Sequence, residues 1–556
     1  MSQVGDGSGR TPGRFWPLAA VLLMALAIRI AWWAAYVQGI NNEGVEYCRL
    51  AENLIGGKGY VGIFGGPHVF FPPLFPWLIG AVSFVVHDFE TSARVVSLLS
   101  GCGIVWAVWG ISRRLFSAHV AIVAAVFAAI HPTLVAFSVS AYVEPLYTFL
   151  VLTGTYGAMG FVQDRSRRSL MASGVCWGLA YLTRPEAIVG GVMAAGCVAL
   201  FVYFRERRLF SAARSGAVMG GGMLLLCIPY VIWLSSSAGG FRWEGKSGAN
   251  SLINERVQQG MPYGEATRGL GGEGGQDGPF LALSDERELL AYSGSGGLNF
   301  LGSLLREPLP RVKGTFLDLG RARALGSPWI LLLAAAGLLL GLSWRKKPGE
   351  SIVLVGLIFF FGLVLLLTEW RYLRYFFGTL SILLFCSAAG SVLFARAILL
   401  PWRKLRDRAE PASVSVVLAA LLLTGLSLRI LPATLAESEL NQEYSTQSRE
   451  LGQVIASDHG PGPDPEARPL IMGFGLAPAF YAGGTLAYLP YAEESRALEY
   501  VHGMTPDYLI LRTLEENQVP YVSSWLETGI PDSCAELIFN AGTASEQRTR
   551  IWRWTC

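Results

Sequence analysis

The segment from Asn41 to Pro73 reads NNEGVEYCRLAENLIGGKGYVGIFGGPHVFFPP and directly follows the first long apolar run of the chain. Between Glu43 and Gly57, apolar residues recur at intervals of three and four while polar residues lie off that stripe, which predicts a helix. A helix of this kind lies along a membrane surface rather than crossing it. It places the carboxylate of Glu43 at the exit of the first span, where a carboxylate is costly unless it has a function.

The composition is that of a membrane protein. The chain has 556 residues, of which 52% are hydrophobic and only 15% charged, and its mean hydropathy is +0.42. A soluble enzyme carries about 25% charged residues. The net charge of +3 is too small to indicate nucleic-acid binding. The eight cysteines show no metal-binding spacing, but Cys534 and Cys556 could form one disulfide if the C-terminal region lies outside the cytosol.

About eleven apolar runs have the length of a membrane span. The first lacks a clear cleavage site and is too long for a signal-peptide core, which predicts an uncleaved anchor. A further run, 72–87, is short and proline-rich, and we expect it to dip into the membrane or lie at its surface; the alternative is a full span with another short run miscounted. The sequence therefore predicts a polytopic α-helical membrane protein with about 11 to 13 spans. The long runs are 16–37, 93–112, 119–138, 145–162, 170–183, 186–204, 213–235, 326–344, 350–368, 372–396 and 411–432.

Lysine and arginine in the loops predict the orientation. With the long runs as spans, all basic clusters fall on the side of the N-terminus, predicted to be the cytoplasm. The other side receives the first external loop, 38–71, and a long Gly-rich loop, 236–325. It also receives the segment 433–556, which is predicted to be a small extracytoplasmic α/β domain after a transmembrane domain at 1–432. The basic clusters are Arg113-Arg114, Arg165 with Arg167-Arg168, Arg205 with Arg207-Arg208, Arg345-Lys346-Lys347, and Arg403-Lys404 with Arg406 and Arg408.

Two acidic motifs lie on the predicted extracytoplasmic boundary. Glu43, with Glu46 and Tyr47 beside it, begins the surface helix. The competing explanation is a solvated helix start at which acids favour the helix dipole. Glu144 precedes a proline in Val-Glu-Pro-Leu-Tyr, which is also an ordinary helix start.

Two basic motifs reach the same boundary. Arg184 interrupts an apolar stretch in Leu-Thr-Arg-Pro-Glu. An arginine in the membrane needs an anion, and the alternative to a ligand is an internal pair with Glu186 or Glu144. A later span ends in a charged and aromatic group, which simple anchoring at the interface would also explain. That group consists of Glu369, Arg371, Tyr372 and Arg374.

Acids and arginines that are far apart in sequence thus converge on one membrane face. A reaction that uses a lipid phosphate needs such a set, because arginines clamp phosphate through charge-assisted hydrogen bonds and a carboxylate takes the proton of an acceptor hydroxyl. The sequence has no P-loop, no GxGxxG opening a nucleotide-binding fold and no HExxH. His68 is the only histidine of the first loop and is the histidine that we retain as a candidate.

These motifs resemble those of the GT-C membrane glycosyltransferases that use polyprenyl-phosphate sugars. Within that class, the chain resembles the bacterial protein O-mannosyltransferase-like enzymes and the lipid A aminoarabinose transferase. The resemblance covers about residues 16–210 well and is weak in the tail. It rests on Glu43-Gly-Val-Glu-Tyr47 with Ala51-Glu-Asn-Leu, Gly57-Lys-Gly59, Phe71-Pro-Pro-Leu-Phe-Pro76, Arg94, Arg113-Arg114-Leu-Phe, His131-Pro132, Glu144-Pro-Leu-Tyr147 and Leu182-Thr-Arg-Pro-Glu186.

The resemblance implies roles for individual residues. The essential first-loop acid of the family, usually Asp, maps to Glu43, the second external acid to Glu144, and a basic residue near the lipid phosphate to Arg184. The aminoarabinose transferase has a lysine before the proline of its first-loop motif; Phe71 or Phe70 stands there in this chain, so that phosphate contact is missing or comes from another residue. Some members bind a divalent metal near the first acid, which leaves a metal at Glu43 open, and no cofactor is otherwise implied. The predicted catalytic residues are Glu43 and Glu144, and the predicted substrate-binding residues are Glu46, Tyr47, His68, Arg184, Arg371, Tyr372 and Arg374.

The leading hypothesis is a hexosyl- or pentosyltransferase of the cell (inner) membrane with its site outside the cytoplasm. It would move one sugar from a polyprenyl-phosphate donor to a hydroxyl of a protein, lipid or glycan acceptor, with inversion. The alternative is a transporter or flippase of lipid-linked sugars, which should carry charges deep in several spans and an internal repeat. A third possibility is an inactive scaffold whose tail binds envelope partners. The sequence indicates membrane lipids as partners and no nucleic acid.

Overall fold

The computed structural model of the chain is mainly helical. It describes residues 16–36, 40–237, 239–271, 277–284, 313–314, 325–367, 373–406, 412–460, 468–542 and 548–556. Its helices are α1 Trp16–Ala35, α2 Asn42–Ile55, α3 Leu74–Val86, α4 Phe89–Leu115, α5 Ala118–Ile130, α6 Pro132–Ser138, α7 Glu144–Asp164, α8 Arg167–Tyr181, α9 Ala187–Glu206, α10 Leu209–Ser237, α11 Ser247–Gln258, α12 Tyr263–Arg268, α13 Pro328–Ala336, α14 Pro348–Leu367, α15 Phe377–Arg406, α16 Ala412–Ser427, α17 Leu431–His459, α18 Leu476–Tyr481, α19 Glu494–Met504 and α20 Val522–Thr528.

Each of the long apolar runs of the sequence coincides with a helix, which confirms the predicted polytopic helical class. Within the described residues, 8 helices are long and apolar enough to cross a membrane, and the count becomes 9 if the bent pair α5 and α6 is one span. This number is below the predicted 11 to 13. The difference arises because α8 has only 15 residues, the apolar helix at Pro328–Gly341 is short, and α3 is a short apolar helix as well.

The bend between α5 and α6 is 58° and follows from local sequence. His131 is extended, with φ −62° and ψ 118°, because the proline that follows disfavours helical backbone before it. The bend exposes carbonyl groups at the end of α5. Arg29 of α1, which is fully buried, donates a hydrogen bond of 3.2 Å to the carbonyl of Ala129, as basic groups do at helix C-termini. Arg29 is therefore a buried arginine inside a span, which the sequence analysis did not single out.

The basic loops lie together at one end of the bundle. The ammonium of Lys347 donates to the carbonyls of Arg114 and Leu115 at the end of α4. Gln163, at the end of α7, donates to Glu350 at the start of α14 over 2.7 Å. Glu144 begins α7 at the opposite end, so the candidate residues and the basic loops are separated by the length of the spans.

Helix α2 packs against α3, α4 and α18. Its start is fixed by Asn41, whose side chain accepts a hydrogen bond from the backbone of Gly44. A Cβ at Gly44 would lie 3.0 Å from the Cβ of Ala141, so the glycine allows α2 to approach the residues before α7. Glu46 and Arg49, which lie off the apolar stripe of α2, are buried as well, because the first external loop covers Glu46 and the C-terminal region covers Arg49.

The C-terminal region contains a five-stranded sheet of order β2-β1-β3-β5-β4. β1 pairs in parallel with β2 and β3, whereas β5 pairs antiparallel with β3 and β4. Helix α17 leads into this sheet from the membrane helices. The sheet with its helices confirms the predicted small α/β fold. Its strands are β1 Leu470–Gly473, β2 Thr485–Tyr488, β3 Tyr508–Arg512, β4 Ala535–Ala541 and β5 Thr549–Trp554.

The sheet docks onto the first external loop. The backbone N–H of Leu486, on the edge strand β2, donates to the carbonyl of Ile63 over 2.9 Å. Arg49 of α2 donates to the carbonyl of Gly484 over 3.0 Å. Arg468 lies 2.9 Å from Glu52 of α2. The C-terminal region thus holds the helix on which Glu43 lies.

Cys534 and Cys556 form a disulfide with a Cα–Cα distance of 5.4 Å. We expect mass spectrometry of the mature protein under non-reducing conditions to find their two peptides linked, because a disulfide persists on the oxidising side of the membrane. Alkylation before and after reduction provides the measurement. Two free thiols in the mature protein would contradict the disulfide and would count against an extracytoplasmic position of this region.

Candidate active site

A cavity of about 190 Å³ lies where the first external loop meets the turn between α8 and α9. Its residues come from six separate segments of the chain. They are Glu43, Tyr47, Phe70, Phe71, Pro72, Val143, Thr183, Arg184, Pro185, Glu186, Glu244, Lys246, Asn250, Arg374 and Tyr375.

Glu43 lies between two cations in this cavity. One carboxylate oxygen is 3.3 Å from Nζ of Lys246, and the other is 2.7 Å from Nη1 of Arg374. The side chain of Glu43 is 21% exposed. Burial alone raises the pKa of its carboxyl group, but the charges of Lys246, Arg374 and Arg184 outweigh burial and hold the pKa at about 2. Glu43 is therefore a carboxylate at neutral pH.

Arg184 is held by two other carboxylates. Its Nη1 donates to Glu144 over 2.9 Å, and its Nε donates to Glu186 over 2.6 Å. The guanidinium also lies 5.6 Å from the ring of Tyr147 and 5.5 Å from that of Tyr375. The internal pair that the sequence analysis left open as an alternative is present, with both named acids. Glu144 is only 2% exposed and lies behind Arg184.

Aromatic rings form the wall next to Glu43. Tyr47, four residues after Glu43 on α2, shares its side of the helix and contacts Phe71 with ring centroids 4.8 Å apart. The ammonium of Lys246 lies over the Phe71 ring, 4.9 Å from its centroid. Lys246 therefore brings a positive charge next to Phe71, in the motif where the aminoarabinose transferase has a lysine.

Glu46 and His68 lie outside the lining of this cavity. They face each other, with His68 Nδ1 3.3 Å from Glu46 Oε1, and both are buried. Glu46 also accepts a hydrogen bond of 2.7 Å from the backbone of Ile63. Their contacts fix the first external loop, and we therefore leave both out of the substrate-binding set proposed below.

The described residues include only part of the predicted later group. Arg374 lines the cavity, in a short 3-10 turn at Leu373–Phe376 that precedes α15. Arg371 and Tyr372 lie outside the described residues, so their predicted roles stay predictions.

Sequence reasoning missed Lys246, Glu244 and Asn250 as site residues. They belong to the long Gly-rich loop, for which no periodicity indicates a position, and they lie at or near the start of α11. Glu244 accepts the backbone N–H of Lys246 over 2.9 Å, which ties the two charges together. One signal was available: Glu244 and Lys246 come a few residues after the end of a span, at the predicted extracytoplasmic boundary.

The surroundings of Glu43 do not fit a divalent metal. Both of its oxygens face cations, and these repel a metal ion. Among the described residues, one group of three has the spacing of metal ligands, at His502, Asp532 and Cys534 in the C-terminal region, but the sulfur of Cys534 is bound in the disulfide with Cys556. We therefore derive no step through a metal.

The helix bundle and the small C-terminal sheet have the fold of solved GT-C membrane glycosyltransferases. Residues 71–233 match the family model described as dolichyl-phosphate-mannose-protein mannosyltransferase. The resemblance drawn from the motifs is thereby confirmed, and the glycosyltransferase class is supported. No curated protein sequence is a significant match.

Solved structures with this fold cover nearly the whole chain. The Archaeoglobus fulgidus oligosaccharyltransferase in the apo form is 14% identical, with a TM-score of 0.59 over 91% of this chain and 70% of its own. ArnT from Cupriavidus metallidurans bound to undecaprenyl phosphate is 13% identical, with a TM-score of 0.55 over 97% of this chain and 98% of its own. At these identities the likeness establishes the fold.

Proposed function

We propose that this protein is a glycosyltransferase that moves one sugar from a polyprenyl-phosphate donor to an acceptor hydroxyl at the extracytoplasmic membrane face. The observation that carries the proposal is the ionised Glu43 between Lys246 and Arg374, in a cavity at the end of a membrane helix bundle. This site has both groups that the reaction needs, a carboxylate for the acceptor and cations for the phosphate. The family match, and similar structures solved with undecaprenyl phosphate, a dolichol-phosphate or an acceptor peptide, support the proposal.

Lys246 and Arg374 bind the donor phosphate. Both cations contact the Glu43 carboxylate in the cavity, whereas Arg184 contacts Glu144 and Glu186. Lys246 also supplies the positive charge that Phe71 does not provide. Arg184 does not contact the phosphate directly in this proposal, but its positive charge adds to the attraction for the phosphate. A phosphate that leaves with its charge stabilised needs no proton, so these cations serve both binding and departure.

Glu43 takes the proton of the acceptor hydroxyl as it attacks the anomeric carbon. The attack comes from the face opposite the leaving phosphate and inverts the configuration. Glu144 keeps Arg184 in position and supports the acceptor side of the cavity. The C-terminal region, which holds α2, influences the choice among protein, lipid and glycan acceptors without supplying a reacting group.

The experiment that tests the function is an assay of the purified protein with several polyprenyl-phosphate sugars, beginning with mannose because of the family match. We expect acceptor-dependent release of the polyprenyl phosphate and one new glycosidic bond per phosphate released. Movement of intact lipid-linked sugar between the leaflets of a vesicle, without phosphate release, would contradict the enzyme and support a transporter.

The orientation can be tested with single cysteines. We expect a cysteine at position 166, between the basic residues of the α7–α8 loop, to react with a membrane-impermeant maleimide only after the cells are opened, because the basic loops face the cytoplasm. The matched control is Asn517→Cys, exposed in the C-terminal region, which should react in intact cells. Labelling of position 166 in intact cells would overturn the topology.

A further inference from the structure

We propose that Glu43 acts as an internal substitute for the donor phosphate. Its carboxylate holds Lys246 and Arg374, and binding of a lipid phosphate exchanges their partner and releases the carboxylate for the acceptor. The proposal rests on the proposed function and deepens it, because it links donor binding to the appearance of the base.

The geometry of the contact supports such an exchange. The two carboxylate oxygens of Glu43 contact two different cations, at 3.3 Å and 2.7 Å. The two non-bridging oxygens of a phosphodiester can contact the same two cations in the same way. Lys246 and Arg374 have long side chains, which are 37% and 21% exposed. A small rotation of each can therefore transfer its contact to a phosphate in the cavity.

The charge balance of the site favours the exchange. Among the described residues, three cations face four carboxylates, so these side chains together carry no excess positive charge for an incoming anion. Arg184 is engaged by two of those carboxylates. Glu43 contacts the other two cations, so a phosphate that binds them competes with this carboxylate. The cations are Arg184, Lys246 and Arg374, and the carboxylates are Glu43, Glu144, Glu186 and Glu244.

The exchange also resolves a chemical difficulty. The charges of Lys246, Arg374 and Arg184 hold the pKa of Glu43 below its usual range, so Glu43 is a poor proton acceptor while it contacts them, since the best catalytic base has a pKa near the working pH. Once Lys246 and Arg374 turn to the phosphate, the proton affinity of Glu43 rises. The base therefore becomes effective when a donor binds.

The test is equilibrium binding of undecaprenyl phosphate to the purified full-length protein in detergent. Glu43→Gln keeps the size of the side chain but cannot hold two cations, so we expect it to bind undecaprenyl phosphate about tenfold more tightly than the wild type, equivalent to about 1.4 kcal/mol. The matched control is Glu186→Gln. It removes a charge from the same cavity, but native Glu186 contacts Arg184 rather than Lys246 or Arg374. This variant should change the affinity for undecaprenyl phosphate clearly less than Glu43→Gln does.

A second pair of variants tests the partners. In a Lys246→Met, Arg374→Met background, Glu43→Gln should no longer improve binding, because the cations that it releases are absent. Equal gains in Glu43→Gln and Glu186→Gln would show general electrostatics and overturn the exchange. Weaker binding by Glu43→Gln would also overturn it, because Glu43 would then help to hold the phosphate. If the wild type binds undecaprenyl phosphate and Glu43→Gln binds it with the same affinity, the exchange is refuted and the proposed function stands. If neither the wild type nor any variant binds undecaprenyl phosphate, both the exchange and the proposed function are refuted.

Discussion

Replacement of Glu43 by Gln is expected to lower turnover by about a hundredfold or more, the range of a lost general base, while binding of the lipid phosphate survives. The amide cannot accept the proton of the acceptor hydroxyl. It occupies the same volume next to Tyr47, so the cavity wall stays intact. The expected combination is therefore a low kcat with a donor affinity at least equal to that of the wild type.

The measurement is single-turnover release of polyprenyl phosphate at saturating donor and acceptor, which separates the chemical step from binding. Glu439→Gln is the matched control, because Glu439 is an exposed glutamate on α17, away from the cavity lining; it should retain wild-type turnover. Near-normal turnover of Glu43→Gln would show that this carboxylate is structural, and the assignment of the base would pass to Glu144.

The membrane helices could be predicted from the sequence because a span requires a long run of apolar residues. Three of the five strands of the C-terminal sheet were also predictable, because β1, β3 and β4 fall on the short apolar runs RPLIMGFG, PDYLILR and CAELIFN. The count of spans was less certain. The length of α8 and the bend before Pro132 depend on how the helices pack, and a run of apolar letters does not encode that packing.

The site was predictable where a motif combines charge with a fixed position at a helix start. Glu43, Glu144 and Arg184 are of this kind, and the structure brings them together. Glu46 was harder to judge, because it lies three residues after Glu43 and its side of α2 is covered by residues from the first loop and the C-terminal region. Lys246 could not be predicted, because its position depends on how a loop of low periodicity returns to Phe71.

The loss of Arg184 should have the second large effect, and it should affect stability as well as activity. Arg184 is the cation that pairs with Glu144, whose side chain is 2% exposed. Removal of one partner of a buried ion pair leaves an uncompensated charge and costs about 3–5 kcal/mol. We expect Arg184→Met to lower the free energy of unfolding by about that amount and to depress turnover, because Glu144 and Glu186 then repel the donor phosphate.

A double-mutant cycle with Glu144 distinguishes this role from a direct phosphate contact. If Arg184 chiefly neutralises Glu144, then Arg184→Met with Glu144→Gln should recover much of the lost stability, because the buried carboxylate of Glu144 is then no longer left without its cation. Thermal unfolding in detergent measures the stability. Arg113→Met controls for the loss of an arginine, because Arg113 lies over Trp109 at the other end of the bundle.

If Arg184 chiefly holds the phosphate, Arg184→Met should instead unfold like the wild type and bind undecaprenyl phosphate weakly. Adding Glu144→Gln should then restore neither stability nor binding. Because the guanidinium contacts two carboxylates at 2.9 Å and 2.6 Å, we expect the first pattern.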